Sequence, residues 1–215
     1  METLYLTLLY LLFIILIYQE RKKLKRLTLN FLKNKRIWFI LILTALASLL
    51  ILDGNVSPPK NFTIIEMGEK LGNGNYLIPT LTALTYSSYL LGLNKTGDIL
   101  KEALLKGALS GIIADVIKVG TARARPKASD KNPFKWFSYE KITSSDYWSF
   151  PSGHTALAGG VFFSLFSRTK GPLRFVFLAF PPLTALSRVM SSSHWPSDVI
   201  FSLVLSFLIA KGGRR

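Results

Sequence analysis

Cysteine is missing from this chain, which excludes disulfides, thiolate metal sites and cysteine nucleophiles. Histidine is nearly missing too: His154 and His194 are the only two, too few for a histidine-rich metal cage. Acidic residues are scarce, 12 against 27 Lys and Arg, for a formal net charge of +15. In a soluble protein that excess would point to nucleic acid. Here the basic residues sit beside apolar runs too long for a soluble core. Membrane topology therefore accounts for most of them, and nucleic acid is not an expected partner. The amino terminus has no basic n-region and no small-residue cleavage site follows it, so the first apolar segment is expected to be retained.

What is present is apolar sequence, 49% of 215 residues. Seven segments are expected to span a bilayer as helices: 3–18, 38–52, 76–93, 99–119, 152–166, 175–190 and 196–210. The expected class is all-α, a polytopic membrane helix bundle of six core helices plus one additional N-terminal transmembrane helix. Residues 1–36 form that first segment and a basic loop, and residues 37–215 form the core. The loop carries Arg21, Lys22, Lys23, Lys25, Arg26, Lys33, Lys35 and Arg36, which the positive-inside rule assigns to the cytoplasm. Alternating from there, residues 53–75, with Pro58 and Pro59 and an amphipathic stretch at 62–71, form an outer loop on the membrane surface. Residues 94–97 form a tight inner turn, and Lys101, Glu102 and Lys106 snorkel from the inner end of the fourth span. Asp115, deeper in that span, either has a function or pairs with Lys118 one turn on. The long polar loop at 120–150 is outside; its Trp136, Phe137, Tyr139, Tyr147 and Trp148 form an interfacial belt or shape the mouth of a pocket.

This topology brings three polar motifs to one outer surface. They are Lys118-Val-Gly-Thr-Ala-Arg-Ala-Arg125-Pro126, then Pro151-Ser152-Gly153-His154, then Ser187-Arg188 followed by His194 and Asp198. Lys118, Arg125 and Arg188 suit a phosphoryl group whose negative charge persists in the transition state. Ser152 and Gly153 open a helix, where free N–H groups and the positive dipole end favour an anion. His154 in the first turn can protonate a leaving oxygen. With a helix starting near His194, Asp198 lies one turn on and can accept the proton of one ring nitrogen, freeing the other to attack phosphorus. Three cationic side chains supply the positive field, so neither a metal nor another cofactor is expected. Each residue also has a structural reading: Lys118 and Arg125 as interfacial anchors, Ser152 as an ordinary cap, His154 as a core histidine, His194 as part of a helix junction.

Together the three motifs resemble the signature of the type 2 phosphatidic acid phosphatase superfamily: Lys, six residues, Arg-Pro; Pro-Ser-Gly-His; Ser-Arg, five residues, His, three residues, Asp. Lys118, Arg125-Pro126, Pro151 to His154, Ser187-Arg188, His194 and Asp198 fill it without a gap, and the resemblance extends over residues 38–210. It implies a six-helix phosphatase-like core, with His194, His154 and Asp198 catalytic and Lys118, Arg125, Ser152, Gly153 and Arg188 binding phosphate. It also implies metal-independent hydrolysis of a lipid phosphomonoester or diphosphate through a phosphohistidine. The substrate is expected at the outer face of the cytoplasmic membrane, as lipid A 1-phosphate, phosphatidylglycerophosphate or undecaprenyl diphosphate, with membrane lipids as the other partners. The segment before Arg36 departs from the pattern. Soluble vanadate-dependent haloperoxidases share the motifs, but seven apolar segments leave no soluble domain to support that reading. A transporter or channel without hydrolytic activity would explain intramembrane charge but not the complete signature.

Overall fold

The structure is a computed structural model that describes residues 2–53 and 61–212. Pro58 and Pro59 of the expected outer loop and the last three residues of the basic tail lie outside the described residues. Among the described residues all regular structure is helical, in agreement with the all-α expectation.

Helix α1 (Glu2–Gln19) is apolar all round. It buries Leu9 and Leu16 while Leu4, Leu8, Leu11 and Ile15 stay exposed, so most of its apolar surface faces away from the bundle. Helix α2 (Arg21–Lys33) turns 68° from it. The basic stretch expected as a loop is therefore mostly an amphipathic helix, with Phe31 buried and the cations on the opposite face. Short charged runs with apolar residues at helical spacing bury one stripe, and that outweighs the like-charge repulsion. Asn34 ends α2 and caps α3 (Lys35–Leu52), accepting from Arg36 N and Ile37 N at 3.1 and 3.3 Å.

Residues 62–71, expected on the membrane surface, lie within α4 (Phe62–Gly72), which packs into the bundle against α8. Contact is close because Gly68 and Gly72 have no side chain. A Cβ at Gly72 would come 2.7 Å from Thr184 Cγ2 and 2.8 Å from His154 Cβ. Helix α5 (Gly74–Leu90) follows, and α1 lies along it, with the Tyr86 hydroxyl donating to the Leu12 carbonyl at 3.3 Å. The turn expected at 94–97 is already helical, since α6 runs Asn94–Thr121. Its 28 residues make a rod about 42 Å long, the central element of the fold.

Helix α6 packs most extensively on α7 (Gly153–Arg168). A Cβ at Gly160 would sit 2.6 Å from the Lys106 carbonyl oxygen, so the two backbones meet there as small residues allow. A 3-10 turn at Pro172–Leu178 leads into α8 (Phe180–Met190), and α9 (Pro196–Lys211) closes the bundle between α3 and α7. Lys106 does not snorkel. It is 2% exposed, 2.9 Å from Glu102 Oε1, and donates to the Ala210 carbonyl at 2.7 Å, tying α6 to the end of α9. Lys101 pairs with Glu20 at 3.2 Å and Asp98 at 3.3 Å. A bundle that offers carboxylates and free carbonyls at helix ends holds these lysines more favourably than a reach for water.

Two described segments are long and apolar enough to cross a membrane, α3 and Pro172–Met190, or three if the bent α1–α2 pair counts as one span. Helices α5, α7 and α9 have only 16 or 17 residues, and α6 carries several charges.

Candidate active site

The three polar motifs converge at one end of the bundle. The first begins on the last turn of α6, where Lys118 pairs with Asp115 at 2.7 Å. Of the two readings of Asp115, the structure contains the pair. Ala122, in the left-handed region at φ 40°, caps α6 and turns the chain inward. Segments 123–125 and 146–149 then run together, with Arg125 N donating to the Asp146 carbonyl at 2.8 Å and Ser149 N to the Arg123 carbonyl at 3.0 Å.

The second motif is the start of α7. Ser152 is its N-cap, accepting from Thr155 N at 3.4 Å, and Gly153 and His154 are its first two residues. Lys118 Nζ comes within 3.2 Å of where a Cβ on Gly153 would lie, so an ammonium sits against this helix N-terminus. The third motif leaves α8 at Met190 and re-enters helix at Pro196, which occupies the first helical turn as a proline should. His154 is within electrostatic reach of Arg188, His194, Lys118 and Arg125, so the charged and titratable groups of all three motifs share one site.

His194 corrects one expectation. The helix starts two residues after it, with Trp195 as N-cap, and Asp198 is not its closest acceptor. His194 Nδ1 lies 2.7 Å from the Ser149 carbonyl oxygen and 3.5 Å from Asp198 Oδ2. A carbonyl oxygen only accepts, so Nδ1 carries the proton and Nε2 keeps its lone pair. Burial pulls the imidazole down to about 4, so it stays neutral at physiological pH.

Asp198 is bound on both oxygens: Oδ1 accepts from Arg123 Nη1, and Oδ2 accepts from the Ser149 hydroxyl and, at 2.8 Å, from Trp195 N. Arg123 and its partner Asp53 were not among the expected site residues. Both are fully buried, with Arg123 Nη2 donating to Asp53 Oδ2 at 2.7 Å. Burial pushes the Asp53 carboxyl up, with Arg123 and Ser197 opposing that shift. The Arg-Ala-Arg spacing was a usable signal for Arg123, since residues two apart on an extended segment face the same way, which sets Arg123 beside Arg125. Asp53 left none, being 70 residues from Arg123 and 144 from Ser197.

Two guanidinium groups are incompletely engaged. Arg125 Nε and Arg188 Nε are buried with no hydrogen-bond partner among the described residues. Arg188 Nη1 has Glu69 of α4 at 3.8 Å. Burial pulls the Arg125 guanidinium down while Asp146 and Asp198 oppose the shift. Buried, unpaired donors on always-charged groups are costly unless an anion completes them.

Beside the site a cavity of about 620 Å³ opens between α1, α5, α6 and α7. Lys118, Gly153 and His154 stand at its polar part, and Phe13, Ile78, Ile112 and Leu157 make it apolar elsewhere. Trp148 also lines it, whereas Trp136 packs on Phe150 and under Arg123, 4.3 Å from ring centroid to Cζ. Tyr147 is buried, and Phe137 and Tyr139 are exposed. The aromatic loop thus divides into a core part, a cavity wall and a surface part.

Comparison with known proteins follows the same segments. A lipid A 1-phosphatase of Rhizobium johnstonii is 34% identical over 113 residues, 48% of this chain and 45% of that protein. One of Rhizobium etli is 33% identical over 113 residues, 48% of this chain and 47% of that protein. The chain thus spans about half the length of the curated relatives it matches. No solved structure matches. Residues 101–214, more than half of the chain and inclusive of all three motifs, match the PAP2 superfamily, and the chain belongs to that superfamily.

Proposed function

We propose that this protein is an integral-membrane lipid phosphatase that works without a metal and through a phosphohistidine on His194. The observation that carries the reading is the pair of buried, unpartnered guanidinium nitrogens on Arg125 and Arg188, both arginines within electrostatic reach of a histidine whose Nε2 lone pair is free. Lys118, the two arginines and the N-terminus of α7 hold the phosphoryl oxygens and stabilise their charge as it shifts in the transition state. His194 Nε2 attacks phosphorus and the bond to the lipid oxygen breaks, while His154 protonates that oxygen. The products are the dephosphorylated lipid and an N-phosphorylated, positively charged His194. Water, losing its proton to His154, then attacks phosphorus, and inorganic phosphate leaves with His194 restored.

The apolar cavity beside the phosphate site supports a lipid rather than a soluble ester, because it offers its polar groups only at the headgroup. Basic α2 and the Lys106–Glu102 cluster lie toward one membrane face and the motifs toward the other. This supports a site at the outer face of the cytoplasmic membrane. Of lipid A 1-phosphate, phosphatidylglycerophosphate and undecaprenyl diphosphate, the names of the relatives favour lipid A 1-phosphate.

The test is phosphate release in detergent with EDTA from those three lipids and phosphatidic acid, with His194→Ala as control. Release from lipid A well above the others, absent in the variant, is expected. Release from none with the wild type, or equal release by the variant, refutes the reading.

A further inference from the structure

The buried cluster behind His194 holds three charges in contact and no water-facing atom. Arg123 reaches Asp53 with Nη2 and Asp198 with Nη1, and its Nη1 also donates to Ser197 Oγ at 2.8 Å. Asp53 accepts from Arg123 and the Ser197 hydroxyl on Oδ2 and from Ser197 N at 2.8 Å on Oδ1. One arginine is thus shared between two carboxylates from opposite ends of the chain. Asp53 closes α3, outside the matched residues 101–214, and Asp198 lies in the first turn of α9.

A purely mechanical role is a weak account of this cluster. Well-packed apolar residues join helices as firmly as a buried ion network and avoid the desolvation cost. The electrostatic consequence is specific. Two carboxylates against one guanidinium leave one net negative charge in a dry region, and Asp198 Oδ2 carries it to within 3.5 Å of His194 Nδ1. Attack through Nε2 with Nδ1–H retained makes His194 a cation, which needs a counter-charge at that position.

Resting on the phosphatase reading, we propose that Asp53 is a positioning residue for the nucleophile: it takes half of the Arg123 guanidinium so that Asp198 keeps its negative charge for the phosphorylated His194. With Asp53 gone, Arg123 neutralises Asp198 instead, and the phosphohistidine loses its counter-ion. Lys118, Arg125 and Arg188 are untouched by this exchange, so binding of phosphate is preserved while chemistry slows.

The experiment is rapid-quench kinetics of full-length wild type, Asp53→Asn and Ser197→Ala on lipid A labelled with ³²P at the 1-phosphate, in detergent. Quenching is in base, where phosphohistidine survives. Reactions are run as single turnovers with enzyme in excess, where a loss of folded protein lowers the concentration of reacting sites and a positioning defect lowers the saturated rate constant per site. For Asp53→Asn we expect phosphoenzyme formation per site to fall on the order of 10- to 100-fold, with KM and inhibition by inorganic phosphate within about twofold of wild type. Ser197→Ala, which loosens the same cluster, should show the same pattern at roughly three- to tenfold, and it decides the matter if Asp53→Asn does not fold. Wild-type rates per site in the variant that folds overturn the proposal and leave the phosphatase reading standing, as does a parallel loss of phosphate binding. Absence of turnover in the wild type overturns both.

Discussion

At the scale of single residues, the site depends on which atom each polar group is left free to use. His194 illustrates this: the Ser149 carbonyl takes the Nδ1 proton, and Nε2 remains a nucleophile. Its burial has a consequence for stability. The folded-state value of about 4 lies below the ordinary histidine value of 6.5, so between those limits the unfolded chain binds more protons than the folded one. Stability is therefore complete above the ordinary value and declines as pH falls from 6.5 toward 4. The loss is roughly 3 kcal/mol in that window. Thermal unfolding in detergent at stepped pH checks it: His194→Gln should show a flatter dependence than wild type across that range. A wild-type curve no steeper than the variant's contradicts the buried neutral imidazole.

Among the elements, α6 and α7 frame both the phosphate site and the cavity beside it. Residues Ala108, Gly111, Ile112, Asp115, Lys118 and Val119 of α6 recur at helical spacing and line one wall. Gly111 is the gap in that wall, because a Cβ there meets only Leu157 Cβ, at 3.8 Å. Gly111→Leu should therefore fill the cavity without unseating the helices. If the cavity takes the lipid tail, kcat/KM for long-chain phosphatidic acid should fall by about tenfold or more, from about 1.5 to 3 kcal/mol of lost side-chain burial. Hydrolysis of a small aryl phosphate should stay near wild type. Equal losses on both substrates would mean that the cavity does not bind the tail. The contrast at Gly160, where a Cβ would press on the Lys106 carbonyl, shows why the two glycines are not equivalent.

The whole molecule raises the question of orientation, and the missing cysteine makes it answerable. Single cysteines introduced at Lys22 and at Lys127, on exposed surfaces toward opposite ends, can be labelled without background. In intact cells a membrane-impermeant maleimide should react at 127 and not at 22, and both should react after permeabilisation. The reverse pattern would invert the assigned topology.

Much of this architecture was legible in the linear chain: the all-helical class, the helix starts at Ser152 and Pro196, and the meeting of the three motifs between Lys118 and Asp198 at one place. Such features depend on hydrophobic period, on capping chemistry and on charge near span ends, all of which act over a turn or two of helix. The packing of α4 into the bundle, the burial of Lys106 and the choice of Ser149 rather than Asp198 as the nearest acceptor for His194 were not legible. Nor was the Asp53–Arg123–Asp198 cluster, whose members lie 70 and 75 residues apart. A buried charge takes whatever partner the fold brings within hydrogen-bond reach, and that depends on how distant helices pack rather than on any spacing along the sequence.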